Sequence, residues 1–161
     1  LEVPARAVNQ AVSDFDGMVS FTTDNSQTGD HEGHIMPGST GDTRVTSLDS
    51  YLADSVITLA EILVLKIDGE GQEIPAVKGS LANIQRASGA VLLLEIHPEV
   101  LASQGQTPED MFSEIESILE VNWFVPKFAQ QKVDRQQPFF NQFPAQQYDV
   151  IALTPSLDYL L

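Results

Sequence analysis

Two short stretches set acidic side chains and an imidazole at the ends of apolar runs. Ile62–Ile67 leads into Asp68-Gly-Glu-Gly-Gln-Glu73, and the run Ala90–Ile96, which carries Glu95, leads into His97-Pro98. Three chemistries fit these residue types. Asp68, Glu95 and His97 are acceptable ligands for magnesium or a transition metal. The second is a hydrolase using paired carboxylates, which requires a suitable separation and a split in pKa. In the third, the acids accept hydrogen bonds from a polar organic cofactor or substrate. Gly69 and Gly71 provide the backbone freedom to turn the acids inward. A carboxylate at the end of a buried strand, as expected for Asp68, needs a reason to be there. Glu73, at the start of the following helix, is also accounted for by capping.

Other candidates carry less. His31 and His34, in Gly29-Asp-His-Glu-Gly-His34, have metal-pair spacing only on a helix, and the Gly and Asp around them argue for a loop. Ser13 and Ser20 have no histidine partner in any recognisable motif, so nucleophilic catalysis is unsupported. Neither a Walker A nor a G-x-G-x-x-G pattern occurs. The chain has no cysteine, which removes disulfides, thiolate nucleophiles and Cys-ligated zinc together. Trp123 with Phe124, and Phe139 with Phe140 and Phe143, read as core and loop anchors.

The elements that must position the acids follow from periodicity. Ile62–Ile67, broken only by Lys66, predicts a strand covered on both faces, and Ala90–Ile96 predicts a second. Between them Ile74, Val77, Leu81 and Ile84 recur at helical spacing, with Pro75 in the first turn and Gly79 inside the helix, where it suggests close packing. Thr107-Pro-Glu-Asp110 is a helix start, and Met111, Phe112, Ile115, Ile118 and Leu119 share the face that follows. Upstream, Asp16-Gly17 signals a hairpin between Val8–Val12 and Met18–Thr23. Asp24–Asp42 reads as a long surface loop, and Ser47 or Asp49 as the cap of a short helix carrying Leu48, Tyr51 and Leu52. Trp123–Val125 and Tyr148–Leu153 are expected last strands. Strand alternating with helix argues for βαβ units, a mostly parallel sheet and an antiparallel last strand. In such a sheet ligands sit beyond the carboxyl ends of the strands, which gathers Asp68, Glu70, Glu73, Glu95 and His97 in one cleft.

At 161 residues and 42% hydrophobic composition, residues 1–161 fit one α/β domain. No apolar run approaches the roughly twenty residues of a membrane helix. A net charge of −15, from 23 acidic against 8 basic residues, repels phosphate backbones and anionic membranes. Nucleic acid and membrane are therefore not expected partners, and a cytoplasmic setting is the default.

The order of motifs resembles a specific family. Asn9-Gln-Ala-Val-Ser-Asp14 followed by Gly17, then Val45-Thr-Ser-Leu-Asp49, then Leu65-Lys-Ile-Asp-Gly-Glu-Gly-Gln-Glu73, Lys78-Gly-Ser80 and Leu94-Glu-Ile-His-Pro98 are similar to FkbM-type S-adenosylmethionine-dependent methyltransferases. The third resembles their signature lysine-isoleucine-aspartate-valine-glutamate-glycine-x-glutamate, with Gly69 in place of the branched residue. The resemblance implies a Rossmann-like class I methyltransferase sheet that methylates oxygen atoms of small molecules or sugars. It implies Ser13 and Asp14 near the adenine of S-adenosylmethionine and Asp68 near its methionine end or the acceptor. It implies Glu70, Glu73, Glu95 and His97 on the acceptor side, with Asp68 or His97 as base. A metal remains an option but not the favoured one.

The family's cofactor loop belongs upstream of Val8. The expectation is thus an N-terminally truncated, C-terminal portion, inactive alone, whose open sheet edge invites self-association. The alternative is a non-catalytic ligand-binding or interaction module derived from the same fold.

Overall fold

The computed structural model describes residues 5–23, 33–36, 41–53, 61–128 and 131–160. Nine strands form two sheets among these residues. The first takes β1 (Ala11–Val12), β2 (Gly17–Thr23), β3 (Gly33–Met36) and β4 (Thr43–Thr46) in the order β1-β4-β2-β3. The second takes β5 (Ile62–Ile67), β6 (Gly89–Ile96), β7 (Asn122–Val125), β8 (Gln131–Lys132) and β9 (Tyr148–Leu153) in the order β5-β6-β9-β7-β8. The helices are α1 (Leu48–Ala53), α2 (Glu73–Lys78), α3 (Leu81–Arg86), α4 (Pro98–Ser103), α5 (Pro108–Glu116) and α6 (Phe139–Gln142). No helix of the described residues is long and apolar enough to cross a membrane.

The second sheet is mixed rather than mostly parallel. β5 and β6 pair in parallel, Leu63 against Ala90 and Ile67 against Leu94. β9 then enters between β6 and β7 and runs antiparallel to both. The last strand is antiparallel, as expected, but its central place turns both flanking ladders antiparallel. In the first sheet only the β1–β4 pair is parallel. The Asp16–Gly17 hairpin does not form. β4 lies between β1 and β2, so that Val45 faces Ala11 on one side and Gly17 on the other. Asp16 holds that arrangement, accepting from Thr46 Oγ1 at 2.7 Å, Ser47 N at 3.0 Å and Ser50 Oγ at 2.6 Å. Three donors on one carboxylate pull its pKa below the usual aspartate range. The expected loop Asp24–Asp42 contains β3, which pairs with β2. His31 lies outside the described residues, as does the side chain of His34.

The expected single helix after β5 is two. Gly79 and Ser80 separate α2 from α3, and the Gly79 backbone presses against the segment after β1: a Cβ there would overlap the Ser13 carbonyl oxygen. Asp49 caps α3 from outside, accepting from Ala82 N and Asn83 N at 2.9 Å each. Ser47 caps α1 as expected, accepting from Ser50 N at 3.0 Å. The Thr107–Asp110 capping box opens α5, with Pro108 at its first position.

The core lies on one face of the second sheet. Leu92, Leu94, Ile96, Val150 and Ala152 point into it from the strands, and Val77, Ile84, Leu101, Met111, Phe112 and Ile115 from the helices. Phe112 packs on Trp123 with ring centroids 4.5 Å apart. β5 departs from the expectation of two covered faces. Leu63, Leu65 and Ile67 pack on the core, while Ile62, Val64 and Lys66 are exposed, Val64 at 66%. The reason is position: among the described residues β5 is the sheet's edge, paired with β6 alone.

Candidate functional site

The period-two geometry of a strand puts Lys66 and Asp68 on the same side of β5, and Glu95 and Asp149 are direct partners across the β6–β9 ladder. These groups converge where β5 and β6 end. Lys66 Nζ donates to Asp68 Oδ2 at 3.0 Å and lies 3.9 Å from Asp149 Oδ1. Asp68, Glu70 and Glu95 each offer a carboxylate oxygen within 4.8 Å of the others. That set could hold a divalent cation. It differs from the expected trio in having Glu70 where His97 was placed.

The turn that delivers Glu70 is tight. Gln72 N donates to Gly69 O at 3.0 Å, and both central residues have positive φ, Glu70 at 47° and Gly71 at 90°. A non-glycine residue there carries backbone strain, of order 1–3 kcal/mol. The left-handed positions are thus Glu70 and Gly71, and Gly69 is not one of them. One carboxylate oxygen of Glu70, Oε2, is buried with no hydrogen-bond partner among the described residues. Glu73 is committed to this same turn: 5% exposed, it accepts from Gly69 N at 3.0 Å. Burial pushes its carboxyl above the usual glutamate range.

Asp68 and Glu95 lie side by side and are driven apart in acidity. The Lys66 ammonium, and then Glu95, hold Asp68 below the usual aspartate range. Burial, and then the Asp68 charge, push Glu95 up against the opposing hydrogen bond from the Gln147 amide. The pair is one ionised carboxylate beside one that holds a proton more readily.

The other expected residues sit apart from this pair. His97 caps α4, its Nδ1 accepting from Val100 N at 3.4 Å, and borders a 10 Å³ void with Glu70, Glu73 and Glu95, too small for a ligand. Ser13 is buried, its amide donating to Thr46 O at 3.1 Å. Asp14 is exposed and accepts from Ser13 Oγ at 3.3 Å.

Two cavities flank the acids. One, of 480 Å³, runs along the β5 edge between the two sheets, with Ala11, Val12, Leu48, Leu65 and Ile67 in its walls and Asp68, Glu70 and Gln72 at one end. Neither Ser13 nor Asp14 lines it; the residues just before them do. The other, of 570 Å³, is bounded by Glu95, Pro126, Lys127, Gln147, Tyr148 and Asp149.

Gln147 and Asp149 were not singled out by type or motif, and Lys66 entered only as the lysine of the Leu65–Glu73 string and a break in the apolar run. A charged residue two positions before Asp68 on a strand is a signal for Lys66. Asp149 and Gln147 had none, because their place depends on where β9 enters the sheet.

Compared with known proteins, residues 5–126 match the family described as the Methyltransferase FkbM domain. No curated protein and no solved structure matches the chain.

Proposed function

Because the chain belongs to the FkbM methyltransferase domain family, we propose that it serves an S-adenosylmethionine-dependent O-methylation of a small hydroxylated molecule or sugar. The observation that carries this reading is the Asp68–Glu95 pair at the carboxyl ends of adjacent parallel strands. Two neighbouring carboxylates of opposite displacement are suited to orienting and deprotonating a hydroxyl.

The 480 Å³ cavity suits the cofactor in size and lining: apolar walls for a purine, and Asp68 and Glu70 for the cationic end. When bound, S-adenosylmethionine supplies an electrophilic methyl group on a sulfonium. The chain's own residues do the rest. Asp68, kept ionised by Lys66, accepts a hydrogen bond from the acceptor hydroxyl. Glu95 takes its proton. His97 positions Glu95 by fixing the turn into α4, and Glu73 fixes the Gly69–Gln72 turn that presents Glu70. Ser13 and Asp14 follow Val12 in sequence but do not line this cavity, so the adenine side is assigned to Ala11 and Val12.

Calorimetry of this chain with S-adenosylmethionine and S-adenosylhomocysteine tests this. Binding that weakens in Asp68→Asn supports the reading. Absence of binding overturns it. The second reading, a non-catalytic interaction module, draws on the exposed Ile62 and Val64 on β5, which is the edge of its sheet among the described residues.

A further inference from the structure

We propose that the 10 Å³ void behind the acid turn binds one water molecule, which links the Glu70 and Glu95 carboxylates and accepts a hydrogen bond from His97. The water site is a feature of the chain alone and does not rest on the methyltransferase reading.

Room and lining both fit. Glu70, Glu73, Glu95 and His97 border the void, and Val100 and Leu101 help to close it. One water molecule needs about 10–15 Å³ of space and roughly two to four polar partners. The void supplies both and admits nothing larger.

A separate observation points to the same occupant. Glu70 Oε2 is buried and has no hydrogen-bond partner among the described residues. A carboxylate oxygen left in that condition is costly, and buried polar atoms are regularly met by ordered water. The turn gives Glu70 little freedom to escape. Its φ of 47° and the 90° of Gly71 are held by the 3.0 Å bonds from Gln72 N to Gly69 O and from Gly69 N to Glu73.

The residues around the void cannot satisfy one another. Ionised carboxylates only accept. Glu73 already accepts from Gly69 N, and Glu95 from the Gln147 amide. His97 Nδ1 accepts from Val100 N at 3.4 Å, so in the neutral ring the proton is on Nε2 and the imidazole is a donor. One donor thus shares the void with three acceptors. Water corrects that imbalance: it takes a hydrogen bond from His97 and gives two, one to Glu70 Oε2 and one to Glu95.

The bridge ties the turn to the end of β6 through a dipole rather than a cation, and so fixes the orientation of Glu95 with its charge intact. It also makes His97 a donor rather than a base, since neither ring nitrogen keeps a free lone pair. Only the use of Glu95 on an acceptor hydroxyl depends on the methyltransferase reading.

The test is NMR magnetisation transfer from water to the backbone amides of the 161-residue chain. A water molecule held for longer than the protein's tumbling time gives nuclear Overhauser effects of opposite sign in the laboratory and rotating frames, which passing surface water does not. Such effects are expected at the Gly71 and Leu101 amides. Labile side-chain protons could mimic them by exchange, and Val100→Ile separates the two sources, because its extra methylene fills the void and leaves every polar group in place. The effects are expected to vanish in that variant while amide shifts elsewhere hold. The Glu95 carboxyl midpoint is expected to rise, as for a carboxylate that loses a donor. Absence of the effects at both amides in the wild-type chain, or their persistence in Val100→Ile, overturns the proposal. So does a wild-type effect that grows with pH as catalysed proton exchange does, which keeps the test decisive should the variant fail to fold. Neither readout involves S-adenosylmethionine, so failure of cofactor binding leaves this result standing, and the reverse.

Discussion

Glu95 on β6 and Asp149 on β9 stand directly opposite one another in an antiparallel ladder, two like charges on one face of the sheet. Such a pairing is unfavourable by itself. Two groups answer it. The Lys66 ammonium lies between Asp149 and Asp68, and the Gln147 amide donates to Glu95. The acidic site is thus held together by one cation and one amide, and its acidities depend on them.

Lys66→Met removes the largest cause of the depressed Asp68 pKa. The Asp68 titration midpoint is expected to rise toward or above its ordinary value of 3.8, followed by carboxyl carbon NMR. A midpoint that stays where it was would show that Lys66 does not hold this carboxylate.

Glu73 gives a pH dependence with a definite sign. Its folded pKa is raised above the ordinary 4.5 by burial, so the folded state binds its proton more tightly than the unfolded chain. The associated stability is present below the unfolded value and is lost as pH rises through the folded one. Melting temperature is therefore expected to climb as pH falls from 7 toward 4.5, and to climb less in Glu73→Gln. Equal slopes for the two proteins would remove the buried carboxyl as the cause.

Gly79→Ala sets helix propensity against sterics. Alanine would gain up to about 1 kcal/mol at an unconstrained helical position. Here its Cβ would overlap the backbone oxygen of Ser13, which no rotamer change relieves. Overpacking of this kind costs about 1–3 kcal/mol, or roughly 2–4 °C in Tm for each kcal/mol in a chain of this size. A higher melting temperature would mean that Ser13 and its strand can move aside.

The β5 edge predicts self-association. Among the described residues Ile62 and Val64 lie exposed beside a ladder with no partner on one side, which invites pairing with another copy, while the net charge of −15 opposes it. Sedimentation velocity is expected to show concentration-dependent association that strengthens from about 0.05 M to about 0.5 M salt, as screening weakens the repulsion. Val64→Lys should abolish it. A wild-type chain that stays monomeric throughout would contradict this.

What the sequence alone determined was governed by short-range physics. The Thr107–Asp110 capping box, the cap expected of Ser47 or Asp49 and the strands of β5 and β6 need only their own residues and near neighbours, and each forms, with Ser47 as the cap. The family resemblance was legible for a similar reason, because Leu65–Glu73 is one continuous string in the matched region. Asp68, Glu70 and Glu95 were legible as acids at strand ends, and they do converge.

Tertiary structure decided what depended on distant pairing. The Asp16–Gly17 turn looked like a hairpin because its signal is local, but β4, nearly thirty residues on, competes for both strands and wins. β9 enters between β6 and β7 and so brings Gln147 to Glu95 across 52 residues, making Asp149 the latter's partner. The helix that periodicity continued is broken at Gly79 and Ser80, where the Ser13 backbone occupies the space a side chain at 79 would need. One face of β5 stayed open because its exposure depends on its neighbours in the sheet, which no run of apolar residues specifies. The site's acids and the lysine beside Asp68 were written in the sequence, and the amide that meets Glu95 was brought there by the fold.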